Sequence, residues 1–244
     1  MLEYIYVPRQ TGRELVDCAV FKNVRCVAFD INGTLIDGRY RHWEWVLEEG
    51  LGLKKQENAP PPKWYEAQAG QLSFEEAVSL TYIVEHPETL RERAFKVYMA
   101  DLKLREGCIE LLEALRRKYE LVICSDTSGV TKVIAKTFGL ERYFTKFFYS
   151  IDIGWLKSDR EFWTTFLSSF PKAEPDEFVM VGDNPRCDIH WPNVLGIGTI
   201  QIETTEMLSQ RSLQVMDEYD RPGLYVRSLG EISKILLKQI SNIY

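Results

Sequence analysis

Three short apolar runs limit what this chain can become. Val27-Ala28-Phe29 ends at Asp30, Leu121-Val122-Ile123-Cys124 ends at Ser125, and Phe178-Val179-Met180-Val181 leads through Gly182 to Asp183. A strand with one wet face alternates polar and apolar residues. An unbroken apolar run instead reads as a parallel strand covered on both faces. Helical stripes separate the runs, which predicts a parallel sheet with helices on both sides. In such sheets ligands bind just beyond the carboxyl ends of the strands. Asp30, Ser125 and Asp183 are therefore expected at the mouth of one crevice. A purely structural sheet has no need to place all three at the same edge. After Asp30 the chain turns at once through Asn32-Gly33, a pair that permits a sharp turn and close approach to a bound group. A calcium loop is excluded, because Leu35 stands where that loop needs its glycine.

Composition narrows the class further. The 244 residues suit one ordinary domain with an insertion, and the hydrophobic fraction of 45% supports a sizeable core. A net charge of -6 gives no support for a nucleic-acid or anionic-membrane partner. No apolar run approaches the roughly 20 residues that span a bilayer. The start, Met1-Leu2-Glu3-Tyr4-Ile5, lacks the regions of a signal peptide. The cysteines are Cys18, Cys26, Cys108, Cys124 and Cys187, with no CxxC pair. Cys26 and Cys124 sit inside apolar runs, where cysteine behaves as a small hydrophobe. Reduced thiols in a cytoplasmic protein are expected, without a disulfide framework or zinc site. His42, His86 and His190 have no metal-ligand spacing. His190 follows the third run closely enough to approach the crevice, although a loop or helix role suits it better.

Taken in order, residues 1–37 and 101–244 read as an α/β core and residues 38–100 as a helical insertion. Residues 1–23 are expected to add an edge strand and a short helix. Within the insertion, a helix over Tyr40 to Leu51 stops at Gly50 and Gly52. Pro60-Pro61-Pro62 turns before Trp64-Tyr65-Glu66-Ala67, and Ser73-Phe74-Glu75-Glu76 matches a capping box. Pro87 opens a helix running to about Leu102. In the core, Cys108, Leu111, Leu112 and Leu115 form one helical stripe, and Val130, Val133, Ile134 and Phe138 form another, stopped by Gly139. Phe147 to Tyr149 is a short strand, Glu161 to Phe170 a helix, Ile197 to Ile202 a strand and Leu224 to Val226 a last strand. Ser228 then caps a terminal helix carrying Ile232, Ile235, Leu236 and Ile240 on one side.

Two further signals complete an ordered set: Lys157 within Gly154-Trp155-Leu156-Lys157-Ser158-Asp159, and Asp188 five residues after Asp183. With Asp30 and Ser125, this order resembles the haloacid dehalogenase superfamily of phosphatases and related enzymes, over nearly the whole chain. The resemblance implies a Rossmann-like parallel-sheet core with a small helical cap domain inserted between the first and second motifs. It also implies a magnesium-dependent phosphatase or phosphotransferase acting on a small phosphorylated metabolite. Asp30 would be the nucleophile, forming an aspartyl-phosphate. Magnesium would be held by Asp30, the backbone carbonyl of Asn32 and Asp183, with Asp188 helping through water or by orienting Lys157. Ser125 and the backbone N–H groups after it, from Asp126 on, would hold phosphate oxygens, and Lys157 would offset charge on both Asp30 and the phosphoryl group. A monomer or homodimer is expected.

Three departures from the family pattern bear on chemistry. The family's phosphatases carry a second aspartate where this chain has Asn32. That aspartate protonates the leaving group and later activates water, and an amide cannot transfer a proton at neutral pH. Asp126 replaces a common asparagine, and Trp191-Pro192 replaces small residues. Asn32 leaves three readings open: a slow phosphatase, a metal-free dehalogenase, or a degenerate member that binds a phosphorylated ligand or a protein. Two carboxylates, Asp183 and Asp188, argue against the dehalogenase. Arg39, Arg41, His42, Trp43 and Trp45 are candidate substrate-side groups, and a solvated helix face with the tryptophans packed into the insertion accounts for them at least as well.

Overall fold

The computed structural model describes residues 21–38, 43–204 and 218–238. Six parallel strands form the sheet: β1 (Cys26–Phe29), β4 (Glu120–Ser125), β5 (Lys146–Tyr149), β6 (Phe178–Gly182), β7 (Gly198–Ile202) and β8 (Leu224–Val226). Their spatial order is β5-β4-β1-β6-β7-β8. The three apolar runs are thus the three adjacent central strands. Their register places Phe29 level with Ile123 on one side and Val181 on the other. The chain beyond Phe29 therefore emerges between the ends of β4 and β6, and Asp30 N–H is held by the Val181 carbonyl at 2.9 Å.

The absence of polar alternation follows from cover on both faces. Val27, Phe29, Leu121, Ile123, Val179 and Val181 point into one core, shared with α5 (Cys108–Leu115), α6 (Val130–Thr137) and α10 (Leu229–Lys238). Cys26, Ala28, Val122, Cys124, Phe178 and Met180 point into the other. That second core is aromatic: Phe162, Trp163 and Phe166 of α8 (Arg160–Ser168) are fully buried beneath the sheet. Phe166 alone meets the rings of Phe148, Trp163, Phe170 and Phe178.

Between β2 (Ile36–Gly38) and β3 (Leu102–Leu104), which pair antiparallel, lies the helical segment. It holds α1 (Trp43–Trp45), continued by a π-turn over Val46–Gly50, then α2 (Trp64–Gln68), α3 (Phe74–Ser79) and α4 (Pro87–Met99). The capping box forms: Glu76 N–H donates to Ser73 Oγ at 3.1 Å, and Ser73 N–H to Glu76 Oε2 at 2.7 Å. Trp43 packs against Phe74, Phe95 and Tyr98 at centroid separations of 4.9, 5.9 and 4.7 Å, so it builds the interior of this segment. Trp45 is partly exposed. Arg39, Arg41 and His42, with Tyr40, Ile240 and residues 1–20, lie outside the described residues.

Two expectations change. The helix from Pro87 ends at Met99 because Leu102 pairs with Gly38 in β3. Val133 is 38% exposed, whereas Thr131 and Ala135 face inward with Val130 and Ile134. The stripe on α6 is rotated so that a threonine faces the strand ends.

Deleting the Phe166 ring would leave a cavity walled by four other rings. Phe166→Ala is expected to lower unfolding free energy by about 3–5 kcal/mol in a denaturant titration. A loss below about 1 kcal/mol would mean that this aromatic layer is not close-packed.

Candidate active site

At the carboxyl ends of β1, β4 and β6 lies a cavity of about 270 Å³. Asp30, Asn32, Ser125, Asp126, Lys157, Asp183 and Asp188 all line it, joined by Gly33, Asp37, Gly38, Tyr98, Asn184, Cys187 and Thr204. The residues of the ordered motif set are therefore brought together, whereas Trp43, Trp45 and His190 do not line the cavity.

Lys157 is the centre of the arrangement. Its side chain is 3% exposed, and Nζ donates to Asp30 Oδ1 and to Asp188 Oδ1, each at 2.6 Å. Burial works against its charge, but Asp188, Asp30 and Asp126 outweigh burial and hold the ammonium well above its ordinary range. Asp188 is itself fixed at both oxygens, since Oδ2 accepts Asn184 N–H at 2.9 Å. Asp188 thus orients Lys157 directly, one of the two roles expected for it.

The backbone around Lys157 is held from several sides. Lys157 N–H donates to Asp126 Oδ1 at 2.8 Å, Trp163 Nε1 donates to the Lys157 carbonyl at 2.7 Å, and Trp191 Nε1 donates to the Ser158 carbonyl at 2.7 Å. The bulky Trp191 has a clear local use: its indole N–H ties the lysine loop to α9 (His190–Val194).

Two glycines let the carboxylates crowd together. A Cβ on Gly33, whose φ is +82°, would overlap the Asp183 carboxylate, and one on Gly182 would overlap that of Asp188. One carboxylate oxygen each from Asp30, Asp183 and Asp188 lies within 4.8 Å of the others. Burial first, then Asp188 and Asp30, push the Asp183 carboxyl well above the usual range. Burial likewise raises Asp188 to about 6, against the opposing pull of Lys157. Three carboxylates facing one ammonium leave a surplus of negative charge in a partly enclosed place. An all-oxygen donor set with that surplus fits a hard divalent cation such as magnesium.

The phosphate-holding expectation narrows. Thr127 N–H is already donated to Ser150 Oγ at 2.9 Å, and Gly129 N–H to Thr127 Oγ1 at 2.8 Å. Of the amides that follow Ser125, those of Asp126 and Ser128 are left for an anion. Asp126 uses its side chain to brace Lys157, and burial raises its carboxyl. Asn32 is anchored: Nδ2 donates to Thr131 Oγ1 at 3.2 Å, and Oδ1 is a buried acceptor without a partner. His190 turns away, with Nδ1 2.9 Å from Asp220 Oδ1. His190 is not among the residues that line the cavity. Sequence reasoning missed Asp37, Tyr98, Cys187 and Thr204. Cys187 alone had a visible signal, lying inside the Asp183 to Asp188 turn.

Comparison with known proteins agrees with this geometry. The model of the haloacid dehalogenase-like hydrolases matches residues 24–190. The chain belongs to that family and is a hydrolase of its fold. YfnB of Bacillus subtilis, described as a HAD-hydrolase, is 22% identical over 205 residues, covering 73% of this chain and 83% of its own. Its magnesium-bound crystal structure, which reveals interdomain movement, matches 88% of this chain and 99% of its own at a TM-score of 0.59 and 19% identity. A HAD phosphatase from Thermococcus onnurineus matches 87% and 98% at a TM-score of 0.59 and 20% identity. A 2-haloacid dehalogenase from Pseudomonas syringae pv. Tomato matches 88% and 99% at a TM-score of 0.57 and 18% identity. At these identities the likeness is one of fold, and the fold is common to phosphatase and dehalogenase. Among the described residues no helix is long and apolar enough to cross a membrane.

Removing one carboxylate from the acidic trio should weaken cation binding without disturbing Lys157. Asp183→Asn is expected to lower magnesium affinity in a calorimetric titration by more than about tenfold, since loss even of outer-shell support costs 10–100-fold. Titration identical to the parent would remove Asp183 from the ligand set.

Proposed function

We propose that the protein is a magnesium-dependent phosphatase or phosphotransferase acting on a small phosphorylated metabolite. The observation that carries this reading is the Lys157 ammonium held between Asp30 and Asp188, with Asp183 completing an acidic trio at the strand ends. Lys157 fixes Asp30 through Oδ1, which leaves Oδ2 as the attacking oxygen. Asp30 attacks phosphorus, the bond to the leaving oxygen breaks, and an aspartyl-phosphate results. Water then attacks that phosphorus and returns the carboxylate. Ser125 Oγ and the Asp126 N–H donate to phosphoryl oxygens, and Lys157 offsets their charge. Bound magnesium, held by Asp30, Asp183 and the Asn32 carbonyl with Asp188 beside them, would relieve repulsion between carboxylate and phosphoryl group.

Residues 38–100 act as a cap over this site, supported by Tyr98 of α4 in the cavity wall. The movement in YfnB's structure concerns that protein and makes closure here a reasonable design. The cavity lies just below the 300–1,000 Å³ typical of small-molecule pockets, which favours a small leaving group. The free thiols Cys26, Cys108 and Cys124 suit a reducing compartment such as the cytoplasm.

A dehalogenase reading meets an obstacle in Asp183 and Asp188. A metal-free pocket that must accept a carboxylate substrate gains nothing from surplus negative charge. Release of phosphate from an aryl phosphate that is abolished by chelator supports the phosphatase. Chelator-resistant release of halide from a 2-haloacid would replace it. Asn32 favours a third reading, a binding protein without turnover, and a clean preparation with no aryl phosphate hydrolysis would select it.

Asn32 stands at the proton-transfer position of this scheme. Thr131 Oγ1, which now accepts from Asn32, can rotate its hydroxyl to donate to an aspartate. The other carboxylate oxygen would sit where Oδ1 lacks a donor, an environment that favours the protonated acid. Asn32→Asp is expected to raise alkyl phosphate turnover by roughly 10²–10⁴-fold, about 3–5 kcal/mol of barrier. Aryl phosphates should gain less in the transfer step, because their leaving groups depart without a proton. The Asn32 form should show a burst followed by slow turnover, and the aspartate variant should lose it. Equal alkyl phosphate rates in the two forms would show that another group handles the proton.

A further inference from the structure

The segment that carries Lys157 is also the place where the helical segment rests on the core. Tyr65 of α2 donates its hydroxyl to Asp159 Oδ2 at 2.9 Å. The same oxygen accepts Leu156 N–H, also at 2.9 Å. One carboxylate oxygen is thus shared between a helix of the cap and the turn that sets Lys157. A second contact lies nearby. Gly70, with φ +69°, comes so close to the Ile151 carbonyl that a Cβ there would overlap it. Ile151 belongs to α7 (Ser150–Ile153), whose Ser150 Oγ accepts the Thr127 N–H of the loop after Ser125. The cap therefore touches residues 150–159 at two points, and that stretch feeds both the lysine and the phosphate-binding loop.

We infer that Asp159 is a positioning residue and that Tyr65–Asp159 is a latch through which the cap's position is transmitted to the Lys157 turn. With the cap in place, Tyr65 orients the Asp159 carboxylate, and that carboxylate holds the Leu156 amide immediately before Lys157. With the cap away, Asp159 keeps only Leu156 and is free to rotate toward water. The Lys157 turn is fully braced only when the cavity is covered. The hydrogen bond also lifts the Tyr65 phenol above its ordinary range, so the hydroxyl stays a donor throughout the neutral range. The latch rests on the reading of residues 38–100 as a cap and of Lys157 as a catalytic group.

The test has one arm that needs no turnover. Hydrogen exchange on the substrate-free protein compares the parent with Tyr65→Phe, which keeps the ring and removes the hydroxyl. Faster exchange is expected in residues 64–72 and in 150–159 together, with β4 unchanged. Loosening confined to 64–72 would overturn the latch. The second arm measures kcat and KM for an aryl phosphate with magnesium in Tyr65→Phe, Asp159→Ala, the double variant and Asp159→Asn. A KM rise of about 2–10-fold is expected in Tyr65→Phe, the effect of one hydrogen bond. Asp159→Ala should rise at least as far, and adding Tyr65→Phe to it should change KM no further. Asp159→Asn, which keeps an acceptor oxygen, should stay near the parent. Additive single effects, or an asparagine variant as impaired as the alanine, would contradict the shared-oxygen latch. Coupled exchange in a protein without phosphatase activity would sustain the latch and sink the functional reading. Turnover without coupled exchange would do the reverse.

Discussion

A lysine ammonium buried between two aspartates is the interaction from which the rest of this site follows. An unpaired charge in that position would be costly, and removing one member of a buried pair typically costs several kcal/mol. The chain answers with a closely specified surround. Asn184 N–H takes the second oxygen of Asp188, Asp126 takes the Lys157 amide, and two tryptophan N–H groups take the carbonyls of Lys157 and Ser158. Gly33 and Gly182 supply the space in which Asp183 and Asp188 approach the backbone. One ammonium cannot neutralise three carboxylates, and that imbalance leaves a donor set suited to a divalent cation.

Sheet topology turns a linear pattern into this constellation. β4, β1 and β6 are neighbours, so three residues far apart in sequence meet at one edge. The second core then serves the site as well as stability. Trp163 is fully buried against the sheet, and its N–H holds the Lys157 carbonyl. Packing of α8 and positioning of the lysine are the same event. Asn32 is placed with equal care, bonded to Thr131 on α6, although its amide cannot carry a proton. In the proposed scheme, a fixed but proton-inert group at that point would let an aspartyl-phosphate form more readily than it clears.

Much of this was legible in the sequence because the signals are local. Runs such as Val27 to Phe29 announce strands covered on both sides, and an acid or hydroxyl at the end of each announces the edge. Ser73 and Glu76 announce a helix start, and both capping bonds form. What could not be read depends on how elements meet. Val133 looks like a core residue by spacing, yet α6 is rolled so that Thr131 faces Asn32. Leu102 looks like the last turn of a helix, yet its partner Gly38 lies over sixty positions earlier. Asp37 and Tyr98 enter the cavity wall from β2 and α4, and nothing adjacent to them in sequence marks them. The Thr127 amide looks available to phosphate by its place after Ser125, yet Ser150 of α7 accepts its hydrogen bond.

The central claim is that Asp30, fixed by Lys157, takes the phosphoryl group onto its own carboxylate. Acid quench of the protein during turnover of an aryl phosphate with magnesium, followed by intact-mass and peptide analysis, addresses it most directly. The account expects a mass increase of one phosphoryl group on the peptide containing Asp30, absent when magnesium is chelated. Phosphate release with no adduct in the burst phase, or an adduct on any other residue, would contradict it.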